Sequence, residues 1–244
     1  MAVASAALLL FIPAAGTATA TAAVPHPPLI GTTHNPGVDC RAASCVALTF
    51  DDGPTQYTAA ILSTLEHKHA VATFFLIGPH ALQYRADVLR EYRDGDAIGD
   101  HTVSHPRLTL ISAARVDHEI EAAARQIASV TGHRPVLFRP PFGALDARVP
   151  KAAGSAGMAV VLWNLSPQDW KHHDPAFIER AVLARVRPGT IIVLHDRYPT
   201  TPPAVPHLID ALRARGYRLL TVPQLFASAG GLHRGVLYKQ GPSP

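Results

Sequence analysis

Cys45-Val-Ala-Leu-Thr-Phe-Asp-Asp-Gly-Pro54 decides the fold. Cys45–Phe50 is a short apolar and β-branched run, the length of a strand rather than a helix. Two carboxylates and a Gly-Pro turn follow it at once. The stretch therefore reads as a strand that delivers charge to its C-terminal end.

The same pattern recurs along the chain. Ala72–Ile77, Ala97–Gly99, Val136–Arg139, Ala159–Asn164, Thr190–Leu194 and Tyr217–Leu220 read as further strands. Between them lie helical patterns at Thr58–Lys68, His80–Asp94, Ser112–Thr131, Asp146–Ala156, Pro175–Val186 and Val205–Arg215. Ser112 and Asp174-Pro175 are start signals, and Gly154, Gly157, Gly189 and Gly216 fall where helices should end. About seven rounds of strand and helix predict an α/β fold with a parallel sheet and helical crossovers. Periodicity does not separate an open doubly wound sheet from a barrel.

The bulk properties narrow the class. Residues 1–23 carry no charge; an apolar run, Ala2–Ile12, leads into small residues ending at Ala23. That is the pattern of a secretory signal peptide, although no Lys or Arg precedes the apolar run. A buried N-terminal helix is the competing reading, and the Ala/Thr tail makes a poor helix end. Residues 24–39, rich in Pro, His and Thr, read as a linker, 40–228 as one domain, and 229–244 as a loose tail with a short apolar piece at Val236–Tyr238. No other long apolar run exists, so no stable membrane insertion is expected. Cys40 and Cys45, the only 2 cysteines, predict a disulfide closing a small loop in an exported, extracellular or wall-associated bacterial protein. The net charge of +4, with 14 histidines, suits an anionic surface without demanding one. Its basic residues are scattered rather than clustered with aromatics, which argues against a nucleic acid partner. A monomer is expected.

Polar residues that break the strand pattern collect at one kind of place. Asp51 and Asp52 follow the first strand, His101 and His105 the third, and Arg139 ends the fourth. Asp169 and Trp170 follow the fifth, and His195 ends the sixth. In a parallel β/α fold these ends share one face, where active sites are built. Each piece has a plain reading when taken singly. Asp-Asp-Gly-Pro is turn chemistry, and His195 on the face of Ile191 and Val193 is a core histidine. Arg139 is a surface arginine ahead of a proline loop. Together they say more. His101 and His105, one helical turn apart, join a carboxylate to make a two-histidine, one-carboxylate site with open positions, as catalytic zinc sites have. Asp169 beside His195 is an orienting carboxylate.

These motifs resemble the polysaccharide deacetylases of carbohydrate esterase family 4, which share the NodB homology domain. TFDDGP (49–54), HTVSH (101–105), RPPFG (139–143), the DW of SPQDW (166–170) and IIVLHD (191–196) match the family's five motifs in order, over about Cys40 to Ala227. The resemblance implies a distorted (β/α) barrel with about seven parallel strands. It implies Asp51 as general base, tethered by Arg139, and His195 as general acid, oriented by Asp169. Asp52, His101 and His105 would hold one divalent ion, zinc first, with cobalt or another divalent ion as the substitute. The backbone N–H of Phe142 would meet the oxyanion, and Trp170 and Val193 would line the acetyl-methyl pocket. The implied substrate is a polysaccharide: peptidoglycan, a chitin oligomer or acetylxylan. Three positions depart from the family pattern: Ser166 stands for Asp, Phe142 for Tyr and Val193 for Leu. The implied reaction is water attack on an acetyl group, with release of acetate and an amine.

An acetylxylan esterase on the same scaffold is the runner-up, since no residue separates amide from ester substrates. A non-catalytic carbohydrate-binding module is disfavoured because base, ligands and acid are all present. A non-haem iron oxygenase also uses two histidines and a carboxylate, but leaves Asp51 and His195 without a task.

Overall fold

The computed structural model describes Met1 and residues 37–244. The proposed signal peptide and most of the linker therefore lie outside the described residues. Eight strands run β1 (Cys45–Asp51), β2 (Thr73–Leu76), β3 (Ala97–Asp100), β4 (Leu137–Phe138), β5 (Ala159–Val161), β6 (Thr190–His195), β7 (Arg218–Leu219) and β8 (Leu237–Tyr238). The helices are α1 (Thr58–His67), α2 (Gly78–Gln83), α3 (Arg85–Asp94), α4 (Ala113–Thr131), α5 (Arg148–Ser155), α6 (Pro175–Leu183), α7 (Thr201–Ala214) and α8 (Val222–Phe226).

Every strand pairing is parallel, in the order β6-β1-β2-β3-β4-β5-β8. β1 is central: β6 pairs along Val46–Asp51, while β7 and β2 take its remaining positions, at Cys45–Val46 and Thr49–Asp51. Alternate residues face opposite ways. Val46, Leu48, Phe50, Phe74, Ile98, Ile192 and Leu194 join a core with helix residues such as Ile61, Leu65 and Leu208. Ala47, Phe75, Leu137, Val161 and Ile191 form the interior cluster. Gly99 belongs to this inner row, where a Cβ would sit 2.5 Å from the Phe75 ring.

The sheet curls into the distorted barrel the motifs imply. Its last gap is closed by loops rather than by a strand ladder. Beyond β5, Leu165 bridges Ile192 in parallel, and Val193 N–H donates to the Leu165 carbonyl at 3.0 Å. Beyond β8, Gly241 N–H donates to the Gly189 carbonyl at 2.8 Å. No helix among the described residues is long and apolar enough to cross a membrane.

Several local expectations are corrected. The segment 229–244 is not a loose tail: Leu237 and Tyr238 pair with Val160 and Val161, and the Tyr238 ring packs on Phe226. A strand of two residues carries no periodicity to read. The helix expected over His80–Asp94 is two, α2 and α3, broken at Tyr84 (φ −108°, ψ 44°). α7 starts four residues before Val205, because Pro202 and Pro203 fall in its first turn, where the missing N–H costs nothing. Cys40 and Cys45 form the expected disulfide, with Cα atoms 5.6 Å apart. It lies at the start of β1, the end of the barrel away from Asp51.

Candidate active site

The strand ends converge as expected. Asp51 closes β1, His101 follows β3, Arg139 follows β4 and His195 closes β6. Asp51, Asp52, His101, His105, Phe142, Trp170, Val193 and His195 line one cleft of about 600 Å³, together with Trp163, Ser166, Gln168, Arg197 and Tyr198. Arg139 and Asp169 do not line it. Both are fully buried behind its wall, each against a residue that does.

Asp52 leaves the strand at φ 77°, a left-handed conformation that is uncommon outside glycine. Gly53 next to it has no room for a side chain: a Cβ would lie 2.0 Å from a carboxylate oxygen of Asp196. Asp52 is thereby turned towards the two histidines. Its Oδ1 lies 3.1 Å from His105 Nε2 and 3.5 Å from His101 Nε2. Yet this buried oxygen accepts no hydrogen bond of proper geometry. One ligand atom from each residue falls within a 4.8 Å set. His101 Nδ1 lies 2.7 Å from the Arg139 carbonyl, which can only accept, so Nδ1 carries the proton and Nε2 keeps its lone pair. Burial works against charge on Asp52, but His101 and His105 in their protonated forms, together with His195, outweigh it and hold its carboxyl well below the usual carboxylate range. An orphaned carboxylate oxygen facing two imidazole nitrogens fits a divalent cation of zinc type.

The loop carrying the histidines is not helical, although their four-residue spacing suggested a helical turn. Thr102 and His105 have φ of 73° and 53°. Left-handed backbone at residues with a side chain costs about 1 kcal/mol or more each, and surrounding bonds must hold it. Asp100 Oδ1 accepts from Thr102 N–H at 2.7 Å, and Thr102 Oγ1 accepts from His105 N–H at 3.1 Å. Glu119, wholly buried on α4, accepts from Val103 N–H at 3.1 Å and Ser104 N–H at 2.8 Å through Oε2. Its Oε1 accepts from Ser104 Oγ at 2.7 Å and from Arg115 at 2.8 Å. Sequence reasoning missed Glu119 and Asp100. A signal for Glu119 existed: it lies on the apolar stripe of α4 with Val116, Ile120, Ala123 and Ile127.

Arg139 spans the barrel interior with zero exposure. Its Nη1 donates to Asp51 Oδ1 and to Thr49 Oγ1, both at 2.7 Å. Nε donates to the Val161 carbonyl at 3.1 Å and Nη2 to that of Leu162 at 3.2 Å. The guanidinium lies 4.0 Å over the Phe75 ring. Asp51 Oδ2, the oxygen not bonded to Arg139, lies 4.0 Å from His101 Nε2, beside the metal-fitting set.

Asp169 is held as firmly. Its Oδ2 accepts from His195 N–H at 2.7 Å and from Thr201 Oγ1 at 3.0 Å, and Oδ1 lies 2.8 Å from His195 Nδ1. Burial opposes charge on the His195 ring. The bond and charge of Asp169, aided by Asp51 and Asp52, outweigh it and raise the imidazole to about 9. His195 keeps 18% of its side chain exposed and lines the cleft, so it is no enclosed core histidine.

Phe142 has φ 61°, and its ring meets His105 edge-on at 4.7 Å. The next two N–H groups, of Gly143 and Ala144, donate to Pro140 and Pro141 carbonyls. Trp170 is half-exposed in the cleft, and Val193 is buried at its base.

A family model described as polysaccharide deacetylase matches residues 39–161. The chitooligosaccharide deacetylase of Bradyrhizobium is 34% identical over 214 residues, covering 81% of this chain and 97% of that one. The peptidoglycan-N-acetylglucosamine deacetylase PgdA of Listeria monocytogenes is 33% identical over 182 residues, covering 74% of this chain. The chain spans 38% of the length of that relative. A solved structure titled "T48 deacetylase with substrate" is 38% identical and superposes with a TM-score of 0.78, over 83% of this chain and 100% of that one. The structure of peptidoglycan deacetylase PdaC from Bacillus subtilis is 34% identical, with a TM-score of 0.74, over 79% and 94% of the two chains.

Proposed function

The chain belongs to the polysaccharide deacetylase family, and on that premise we propose that it is a secreted, metal-dependent hydrolase that removes N-acetyl groups from N-acetylglucosamine-containing glycans, either peptidoglycan or chitin oligomers. The observation that carries this reading is the meeting, in one cleft, of a metal-fitting Asp52–His101–His105 set with two ion pairs that each offer one reactive group. The disulfide supports export to an oxidising compartment.

Asp52, His101 and His105 would hold one divalent ion, zinc first, which supplies polarisation of the acetyl carbonyl and a water of lowered pKa. Asp51 Oδ2 takes the proton of the attacking water, while Arg139 keeps the other oxygen occupied and the carboxylate in place. Phe142 N–H, at the turn its positive φ creates, donates to the carbonyl oxygen as it becomes anionic. Trp170 and Val193 enclose the acetyl methyl group. His195, charged at neutral pH and oriented by Asp169, donates from Nε2 to the amine nitrogen as the C–N bond breaks. Water oxygen stays on the acetyl carbon, and the products are acetate and a free amino sugar.

The test is acetate release from chitin oligomers, peptidoglycan fragments and acetylxylan, with and without chelator. Release from the N-acetylated glycans should stop on chelation and return with Zn²⁺ or Co²⁺. Full activity in a metal-free preparation contradicts the metal, and no acetate from any glycan contradicts the reading.

A further inference from the structure

Arg197 is the only Lys or Arg lining the cleft among the described residues. It follows His195 and Asp196, and Asp196 is wholly buried, bonded to Thr58 and packed on Gly53. The backbone that carries Arg197 is thus anchored, while 52% of its side chain is exposed. Its Nη1 lies 3.5 Å from Asp52 Oδ2, beyond the usual N–H···O range. The Tyr198 ring lies 6.0 Å from the guanidinium.

Charge decides what this arginine lacks. Asp51 is engaged by Arg139, and Asp169 by His195. Asp52 is the one carboxylate of the metal-fitting set, and a dication there exceeds its charge by itself. With the ion bound, the carboxylate beside Arg197, Asp52 with Oδ2 at 3.5 Å, is shared between the guanidinium and the ion. A second guanidinium, Arg107, stacks 4.8 Å over the Phe142 ring, next to His105. A neutral glycan brings nothing to balance this edge of the cleft. A planar guanidinium matches a carboxylate with two parallel N–H···O bonds.

We propose that Arg197 forms a carboxylate-binding subsite, so that the preferred substrate is a glycan with a carboxylate on the reacting N-acetylated sugar or on the sugar next to it. The short distance from Arg197 to Asp52 sets this limit: only a group attached close to the acetamido can reach the guanidinium. The inference rests on the deacetylase reading above and adds the chemistry of the substrate's neighbouring group.

The test uses the metal-loaded enzyme and three glycans: an alternating oligosaccharide with free lactyl carboxylates, the same oligosaccharide with those carboxylates amidated, and a chitin pentamer. A charge-assisted pair contributes on the order of 1.5–3 kcal/mol, so kcat/KM should favour the free acid by roughly 10- to 100-fold. Added salt should erode that preference. Arg197→Ala should bring the acid-to-amide ratio near one, chiefly through KM, and Arg197→Lys should restore part of it. Metal affinity is titrated in each variant, and rates are compared at full occupancy, which separates substrate binding from any effect on Asp52. Glycan binding is followed in parallel by tryptophan fluorescence. A wild-type ratio near one, or an Arg197→Ala variant that loses both substrates equally, overturns the subsite. No acetate from any glycan overturns the deacetylase reading instead, while acid-selective binding lost in Arg197→Ala still upholds the subsite.

Discussion

Two ion pairs flank the metal-fitting residues, and they are built in opposite senses. In Arg139–Asp51 the cation is the anchor: four hydrogen bonds hold the guanidinium, and the carboxylate keeps one oxygen towards the site. In Asp169–His195 the carboxylate is the anchor, fixed by His195 N–H and Thr201, and the imidazole faces the cleft. One pair presents a carboxylate oxygen to the site, and the other holds an imidazole whose pKa is raised to about 9. In each, the buried partner fixes the position of the one that reaches the cleft, and under the proposed function the latter does the chemistry.

The largest expected effect comes from the reactive member of the acid pair. His195→Ala should cost about 10²–10⁴-fold in kcat on an N-acetyl oligosaccharide. The loss should be smaller on acetyl esters of good leaving groups, which depart without protonation. Equal rates on both substrates at wild-type level would return His195 to a structural role.

Removing the buried anchor of the other pair should cost stability as well as rate. Arg139→Leu leaves Asp51 buried and unpaired, a change of about 3–5 kcal/mol measurable by denaturant unfolding. A loss under 1 kcal/mol would mean that Asp51 takes up a proton or water without strain, and the comparison of the pairs would fail.

The acid pair also predicts a pH dependence. His195 is raised from about 6.5 to about 9, so its contribution to folding is fully present below pH 6.5 and is lost as pH rises through 9. The span is on the order of 3 kcal/mol. Burial raises Asp96 to about 8 and Asp196 to about 7, and both slope the same way between about pH 4 and 8. The informative quantity is therefore the difference in unfolding free energy between wild type and Asp169→Asn, measured in chelator from pH 6 to 10. It should shrink as pH rises; a constant difference would deny the linkage.

The smallest effect concerns the loop. Glu119→Gln weakens two backbone contacts to Val103 and Ser104, and zinc affinity should fall about 10-fold, as for groups that orient metal ligands. Unchanged affinity in a competitive chelator titration would show that Asp100 and Thr102 hold the loop unaided.

What could be read from the sequence divides along physical lines. Strand ends were legible because each is a local event: an apolar run stops and a charged residue follows, as at Phe50-Asp51 and Leu194-His195. In a parallel sheet those local events suffice to bring Asp51, His101, Arg139 and His195 to one rim. Features made by distant partners were legible at most in part: the apolar stripe of α4 marks Glu119 as buried but does not name its partners. Glu119 serves residues fifteen and sixteen positions away, and Leu237–Tyr238 become a strand only because β5 offers an edge. The four-residue spacing of His101 and His105 suggested a helical turn, whereas two left-handed residues make a loop of the same reach. Arg197 went unremarked because an exposed arginine has no sequence signature. Its meaning comes from the 3.5 Å to Asp52.

The division of labour between the adjacent carboxylates is the central claim, and Asp51→Asn beside Asp52→Asn tests it most directly. Metal content and kcat are measured for both on one N-acetyl oligosaccharide. Asp51→Asn should keep the metal and lose turnover by about 10²–10⁴-fold, since only the proton acceptor is removed. Asp52→Asn should lose the metal, and its activity with it. If Asp51→Asn emerges metal-free while Asp52→Asn retains both metal and rate, the two roles are reversed and the account fails.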